Sequence, residues 1–368
     1  MKKSILLILL TVTAFVSCNN NRIEKDSDQV FIEESVNYLT AGSEMFSKIE
    51  LIPLQETEDY LVGDISKIIP VGTNYYILDS KKSKALYLYD KDGKPINKFQ
   101  KIGGGPDEYI EIWDFVVDSI AKEVSIYCLP PKIITTDLNL NIKGEAVTVD
   151  FYADRMTKHD NNLLFYNHRD RSVKSYDINS GNITELIKRE GMSADIIDSS
   201  PVFYSVYGKL YFQSPGDDCI FVFEDGLFKP FFELDYNNKE KIMKFYTEKG
   251  IPDITFEERM SNPLPYVWCV FEKDKHISFL YTYNSIGRMY TYMGEKYVDQ
   301  IIRFFPATKS MVYSNNCLYA WDYPYNLKIM KIKEFDDFMS DVVIGDTKLT
   351  AIGDDNYENP VIFVYHLN

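Results

Sequence analysis

Short apolar runs alternate with polar turns along most of this chain. Residues 75–79 and 85–90 are rich in Tyr, Leu and Ile, the segment 91–94 contains an Asp-Gly pair, and residues 95–99 follow it. Aromatic and branched residues favour strands, and Asp-Gly suits a tight hairpin turn. A similar order begins again near Lys122, Asn162, Lys209, His276 and Cys317. The pattern therefore predicts a repeated unit of β-strands.

The repeat length indicates the architecture. Residues 38–368 divided into six units give roughly 53 residues each, and seven units give roughly 46, both within the range of propeller repeats. We therefore predict an all-β fold, a six-bladed β-propeller, with seven blades as the alternative. Residues 47–54 and 360–367 are strand-like and are expected to pair and close the ring. A helical insertion is predicted near residues 237–250, where Ile242, Phe245 and Tyr246 follow helical spacing.

The N-terminus has the features of an export signal. Lys2 and Lys3 precede an apolar run over residues 5–16, which ends at Ser17-Cys18. A run of this length is too short to span a bilayer. We predict a lipoprotein signal peptide over residues 1–17, acylation of Cys18 (palmitate among the acyl chains), and a flexible polar tether over residues 18–37. Asn19 follows the cysteine, so the usual inner-membrane retention residue, Asp, is missing. The outer membrane is the expected location, with the periplasmic and surface faces both open.

Charge and cysteine content exclude some functions. The net charge is −15, and the chain has no basic cluster, which argues against nucleic-acid binding. Cys128, Cys219, Cys269 and Cys317 are far apart in the sequence, so they are interpreted as buried apolar residues. The histidines have no metal-ligand spacing, so we predict neither a metal site nor a cofactor. Calcium is the one alternative, with Asp217-Asp218 and Asp354-Asp355 as possible oxygen ligands.

Three segments resemble a known family. Residues 54–65 include Leu54, Thr57 and Gly63-Asp64, residues 103–109 read Gly-Gly-Gly-Pro-Asp-Glu-Tyr, and residues 356–361 end in Asn-Pro-Val. In this order they are similar to the six-bladed β-propeller lipoproteins of Bacteroides-type bacteria, with Asp107 where those proteins often carry glycine. The resemblance covers essentially the whole mature chain. It implies the fold and the anchor, and little chemistry, because that family is largely uncharacterised.

The glycine loop over residues 103–106 is interpreted as a connection between blades. A phosphate-binding loop needs a following helix and usually a Lys-Ser/Thr pair, whereas Asp107-Glu108 follow here and would repel phosphate.

Aromatic residues suggest a ligand-binding surface. Tyr and Trp stack on sugar rings and provide rigid contact area. The residues in the richest clusters, of which we expect most to be core, are Trp113, Trp268, Tyr281, Tyr283, Trp321, Tyr323 and Tyr325. We therefore predict a lipid-anchored binding or scaffolding module of the envelope, with a glycan or a partner protein as its ligand.

The alternative function is a propeller enzyme. His159, His168, Arg155 and Arg169 would be its acid, base and charge clamp in the central funnel, in a glycan lyase or hydrolase or a lactonase-like enzyme. Convergence of such residues with carboxylates near the axis would favour it. The sequence has no nucleophile-elbow motif, so a non-catalytic role is the first expectation.

Overall fold

A computed structural model describes the chain over residues 28–32, 39–40, 45–189, 202–214, 217–249, 254–264, 266–273, 275–283, 286–292, 297–302, 311–323 and 359–368. Nearly all regular structure in these ranges is β-sheet. The three strands nearest the N-terminus are β1 (Asp28–Ile32), β2 (Leu39–Thr40) and β3 (Phe46–Pro53).

Five blades follow in chain order, each built from four successive antiparallel strands. Blade 1 contains β4 (Lys67–Val71), β5 (Asn74–Asp79), β6 (Ala85–Tyr89) and β7 (Pro95–Phe99). Blade 2 contains β8 (Glu111–Asp118), β9 (Glu123–Leu129), β10 (Lys132–Asp137) and β11 (Val147–Thr148). Blade 3 contains β12 (Arg155–His159), β13 (Asn162–Asn167), β14 (Ser172–Asp177) and β15 (Ile183–Lys188).

Blade 4 contains β16 (Phe203–Val206), β17 (Lys209–Phe212), β18 (Cys219–Glu224) and β19 (Leu227–Tyr236). Blade 5 contains β20 (Tyr266–Lys273), β21 (His276–Tyr283), β22 (Ile286–Tyr292) and β23 (Tyr297–Ile302). Two helices lie between blades 4 and 5 in the chain, α1 (Lys239–Lys249) and α2 (Phe256–Ser261). Ile242 and Tyr246 of α1 are buried against both of these blades.

A composite sheet closes the ring. It is formed by β24 (Val312–Ser314), β25 (Cys317–Asp322), β26 (Val361–Leu367) and β3, in that order. The pairing between β26 and β3 is antiparallel, with Val361 opposite Pro53 and Tyr365 opposite Ile49. The predicted pairing of the two chain ends is confirmed. We call this sheet the closing sheet.

The prediction of six blades, with seven as the alternative, is wrong. The described residues form a five-bladed β-propeller in which each blade consists of four successive strands, and the closing sheet combines strands from both chain ends. The partners of β25 are β24 and β26, and β26 lies near the C-terminal end of the chain. The sequence pattern did not indicate that β25 pairs with β26, because strands that are far apart in the chain can be neighbours in a sheet.

The cores lie between adjacent sheets. Alternate residues of a strand face opposite sides. Tyr75 and Ile77 of β5 therefore pack against the closing sheet, and Tyr76 and Leu78 pack against blade 2. The high aromatic content is used in this way, because large flat side chains fill the space between twisted sheets.

Two short strands follow the outer rim. β1 pairs in parallel with β19 of blade 4, and β2 pairs in parallel with β23 of blade 5. The segment that we predict to be a tether therefore contains an edge strand. These pairings cover two outer sheet edges that would otherwise be open.

The direction of the inner strands distinguishes the two faces of the ring. The upper face is the one at which β4, β8 and β12 begin, and the lower face is the one at which these strands end. Antiparallel order places the blade-to-blade connections on the upper face. The hairpins between first and second strands and between third and fourth strands lie on the lower face.

Candidate functional site

A polar cavity of about 190 Å³ opens at the upper mouth of the central channel. The first residues of three inner strands, Lys67 of β4, Glu111 of β8 and Arg155 of β12, contribute to its wall. The complete lining is Ser66, Lys67, Leu78, Ser80, Lys81, Glu111, Ile112, Trp113, Asp114, Asp154 and Arg155.

Lys67 lies at the base of this cavity and connects three blades. Its Nζ donates to Oδ1 of Asp114 at 2.8 Å, to the carbonyl of Phe115 at 2.9 Å and to the carbonyl of Met156 at 3.3 Å. Burial lowers the pKa of the Lys67 ammonium, and the neighbouring Asp114 carboxylate opposes that effect. Its three protons are thus used in contacts within the protein, so we interpret Lys67 as a structural crosslink.

Asp114 is fixed equally firmly. It is 1% exposed, and its carboxylate also accepts from the backbone N–H groups of Phe115 at 2.8 Å and Met156 at 2.6 Å. Its two oxygens are thus occupied by donors within the protein, so we interpret Asp114, like Lys67, as a structural residue.

Asp154 brings two of the predicted residues together. Its Oδ2 lies 2.6 Å from Nδ1 of His168 and accepts from the His168 backbone N–H at 2.7 Å. Nη1 of Arg155 donates to the Asp154 carbonyl at 2.7 Å. His168 and Arg155 therefore lie at one side of the upper mouth.

His159 and Arg169 do not join this group. His159 pairs with Asn162 beside the lower hairpin of blade 3, while Arg155 pairs with Tyr166 at the upper end. The two predicted histidines thus lie at opposite ends of one hairpin. The His159 ring packs edge-on against Phe223, with 4.9 Å between ring centroids. Arg169 is exposed, and its backbone N–H donates to Oδ1 of Asn167.

Among the predicted aromatics whose side chains the structure describes, only Trp113 lines the cavity. Its Nε1 donates to Oε2 of Glu111 at 3.2 Å, and the half-buried ring also packs against the core between blades 2 and 3. This hydrogen bond fixes the indole at the cavity wall, where a ligand can contact its open side.

The other predicted aromatics lie elsewhere. Trp268 and Tyr281 are buried in the cores of blade 5. Trp321 is half-buried against the core between the closing sheet and blade 1. The Tyr323 hydroxyl accepts from the backbone N–H of Ile65 at 2.7 Å, and burial raises its pKa. Tyr283 belongs to β21, but its side chain lies outside the described part, as does the whole of Tyr325.

The predicted calcium ligands Asp217 and Asp218 have cationic partners. Arg189 Nε and Arg171 Nη2 donate to Asp217, at 2.9 and 3.2 Å, and Lys239 Nζ lies 2.7 Å from Asp218. Burial raises the pKa of Asp217, and at Asp218 the ammonium of Lys239 outweighs burial and lowers the pKa. Over the described ranges no group of three or more His, Cys, Asp or Glu side chains is arranged to hold a metal, and Asp354-Asp355 lie outside those ranges.

The glycine loop is a connection between blades, as predicted. It joins β7 to β8, and Oε2 of Glu108 accepts from the Gly105 N–H at 2.8 Å. Lys132 Nζ donates to the Gly105 and Pro106 carbonyls at 3.1 and 2.9 Å. The four predicted core cysteines are likewise buried and unpaired.

Sequence reasoning missed most of the cavity. Lys67, Glu111 and Asp154 are isolated in the chain and belong to no motif. One signal was available, since the first strand of each of blades 1–3 begins with a charged residue. In a propeller these positions share one end of the channel, so their charges converge.

Comparison with known proteins supports the fold. The chain is similar in structure to a Bacteroides fragilis protein described as a candidate exported protein, with a TM-score of 0.72 and 16% identity over 93% of this chain and 100% of that one. It is less similar to BamB from Moraxella catarrhalis, with a TM-score of 0.38 and 12% identity over 81% of this chain and 71% of that one. YCF48 bound to D1 peptide gives a TM-score of 0.47 and 9% identity over 87% of this chain and 97% of that one.

No curated protein matches the chain. Neither described helix is long and apolar enough to cross a membrane. The family model DUF4934, described as a domain of unknown function, matches residues 28–366, which is most of the chain. The chain therefore belongs to the DUF4934 family.

Proposed function

We propose that this protein is an exported, lipid-anchored binding module whose upper cavity holds a polar ligand, with a glycan as the ligand class. The observation that carries the proposal is the position of Trp113 in a cavity whose wall also presents hydroxyl, carboxylate and cationic side chains. Sugars are bound by this combination, an aromatic ring for the apolar face of the sugar and polar side chains for its hydroxyl groups.

Several polar side chains of the cavity wall are held in place by contacts within the protein, which favours ligand binding over catalysis. Lys67 and Asp114 are saturated by contacts within the protein, and Glu111 accepts the Trp113 N–H. A rigid wall of this kind binds a ligand with little loss of side-chain entropy.

The test is a glycan-binding screen of the soluble chain that begins after Cys18. Replacing Trp113 by Ala should weaken binding at least about tenfold, because the stacking surface is removed. Tyr207→Ala is the matched control, since it removes an exposed aromatic ring on the lower face. Binding that is unaffected by Trp113→Ala would exclude the cavity as the glycan-binding site. Capture of an envelope protein, without any glycan binding, would indicate that the ligand is a protein and not a glycan.

The anchor is tested separately. Cys18→Ala removes the acylated residue and should release the protein from membranes, because several acyl chains on one residue are needed for stable attachment. The measurement is fractionation of cell membranes. A variant that still sediments with membranes would contradict lipid anchoring.

A glycan-cleaving enzyme is the second candidate. The short Asp154–His168 contact beside Lys67 and Arg155 is the observation that favours it. Release of reducing or unsaturated sugar ends that is abolished in Asp154→Asn, while binding is retained, would support catalysis. Binding without turnover would exclude it.

A further inference from the structure

The lower face carries exposed apolar side chains at its hairpins. These residues belong to blades 1–4 and are more than two-fifths exposed; they are Ile96, Ile120, Ile178, Ile183, Tyr207 and Leu227. Exposed apolar side chains also lie in connections on the upper face, at Ile102, Ile110 and Tyr152, so exposure alone does not select a face. The lower face is selected by the extreme exposure of Ile120 and by the course of the N-terminal segment.

Ile120 projects furthest. It is 94% exposed at the tip of the β8–β9 hairpin. Oδ1 of Asp118 accepts from the backbone N–H groups of Ile120 and Ala121, both at 2.8 Å. The turn is thereby fixed with its apolar side chain directed outward into solvent.

Blade 4 presents two apolar tips. Tyr207 lies in the β16–β17 turn, and Leu227 follows the β18–β19 turn. The charges beside them are paired, with Lys209 Nζ 2.7 Å from Glu224 and Lys229 Nζ 2.6 Å from Asp225. The tips are therefore surrounded by neutral ion pairs and do not depend on an oppositely charged partner.

The chain direction of β1 brings the N-terminal segment to the same blade. Asp28 pairs with Phe232 and Ile32 pairs with Tyr236, in parallel with β19. Since β19 runs from the lower face to the upper face, the chain enters β1 from the lower side. Residues 19–27 separate Cys18 from Asp28, and even fully extended they reach only about 30 Å.

We propose that the lower face rests on the bilayer surface, with Ile120, Tyr207 and Leu227 among the lipid headgroups and the upper cavity directed away from the membrane. This inference rests on the proposed lipid anchor. The anchor holds the propeller at high local concentration beside the membrane, so that a few small apolar contacts are sufficient to orient it.

The spacing of the tips favours a bilayer over a protein. Ile120, Tyr207 and Leu227 lie on three separate hairpins, one of blade 2 and two of blade 4. A fluid interface accepts separate aliphatic and aromatic tips without shape complementarity, and Tyr is a typical interfacial residue.

The test uses the lipidated full chain in phosphatidylcholine vesicles that contain brominated lipids. A fluorophore is attached to Ile120→Cys or Leu227→Cys, and to Tyr152→Cys as the control, since Tyr152 is 59% exposed on the upper face. The native Cys128, Cys219, Cys269 and Cys317 are buried, and burial raises their pKa, so they react poorly with the label.

Labels at positions 120 and 227 should be quenched at least about twofold more than the label at 152, because interfacial contacts lie within reach of the acyl chains. Equal quenching at all three positions, or stronger quenching at 152, would overturn the orientation. Lower-face labels that stay unquenched while the chain sediments with the vesicles would also overturn it and leave the anchor intact. Failure to sediment would instead contradict the anchor itself.

Discussion

Gly103 and Gly104 are neighbours in one loop, but their surroundings differ. A Cβ at Gly103 would lie 2.1 Å from Oε2 of Glu108, whereas a Cβ at Gly104 would have no heavy atom within 4 Å. The carboxylate of Glu108 is the group that caps this loop through the Gly105 N–H. A methyl group at position 103 would therefore move the Glu108 carboxylate away from the Gly105 N–H, whereas one at position 104 would meet nothing.

Gly103→Ala should lower the free energy of unfolding by about 0.5–1.5 kcal/mol, because the new methyl group displaces the exposed Glu108 carboxylate from its hydrogen bond. Gly104→Ala is the matched control and should change stability by less than about 0.5 kcal/mol. Urea denaturation measures both. Equal losses in the two variants would show that chain flexibility, and not the contact with Glu108, requires the glycines.

Ion pairs between neighbouring blades connect the elements. Asp118 at the end of β8 accepts from Lys158 of β12, and both side chains are mostly buried. Burial raises the pKa of Asp118, but Lys158 and two backbone N–H groups outweigh it, so the pKa lies below its usual 3.8. The folded chain therefore binds the proton less readily than the unfolded chain does.

The sign of the pH dependence follows from this difference. The contribution of Asp118 to stability is present above pH 3.8, the unfolded value, and is lost as pH falls through the lower folded pKa. Asp118→Asn should be less stable than the wild type by about 1–2 kcal/mol near neutral pH. This difference should shrink in acid, as measured by thermal unfolding at several pH values.

Lys158→Met provides the second variant. Without the ammonium the Asp118 carboxyl should protonate at higher pH. The loss of stability in acid should therefore begin at a higher pH than in the wild type. A constant difference between the wild type and Asp118→Asn at every pH would contradict an ionised Asp118.

At the scale of the whole molecule, Asn359 joins the two ends of the chain. Its Oδ1 accepts from the Val62 N–H at 2.8 Å, and its Nδ2 donates to the carbonyls of Tyr60 and Gln55 at 2.9 and 3.3 Å. It is 1% exposed and directly precedes the strand that pairs with β3. The Asn-Pro-Val segment thus has a structural role in ring closure.

Asn359→Ala should lower the free energy of unfolding by about 1–3 kcal/mol, because the buried Val62 N–H and the carbonyls of Tyr60 and Gln55 lose their partner. Asn179→Ala, in an exposed turn of blade 3, is the control and should stay within about 0.5 kcal/mol. Calorimetry compares the two. Similar melting temperatures would mean that β3–β26 pairing alone closes the ring.

The sequence by itself determined the β-propeller class, the pairing of the chain ends and the glycine loop as a connection between blades. These features depend on local signals, namely alternating apolar runs, Asp-Gly turns and strand-like segments at both ends. It did not determine which strands form one sheet near the C-terminus, because residues far apart in the chain share the closing sheet.

The candidate site was decided by the tertiary structure. Lys67, Glu111 and Arg155 are separated by long stretches of chain, and only the ring arrangement of β4, β8 and β12 places them around one cavity. Trp268 and Tyr281 show the converse, since aromatic content predicted a surface role that burial excludes. Sequence composition specifies which side chains are available, while channel geometry decides which of them meet a ligand.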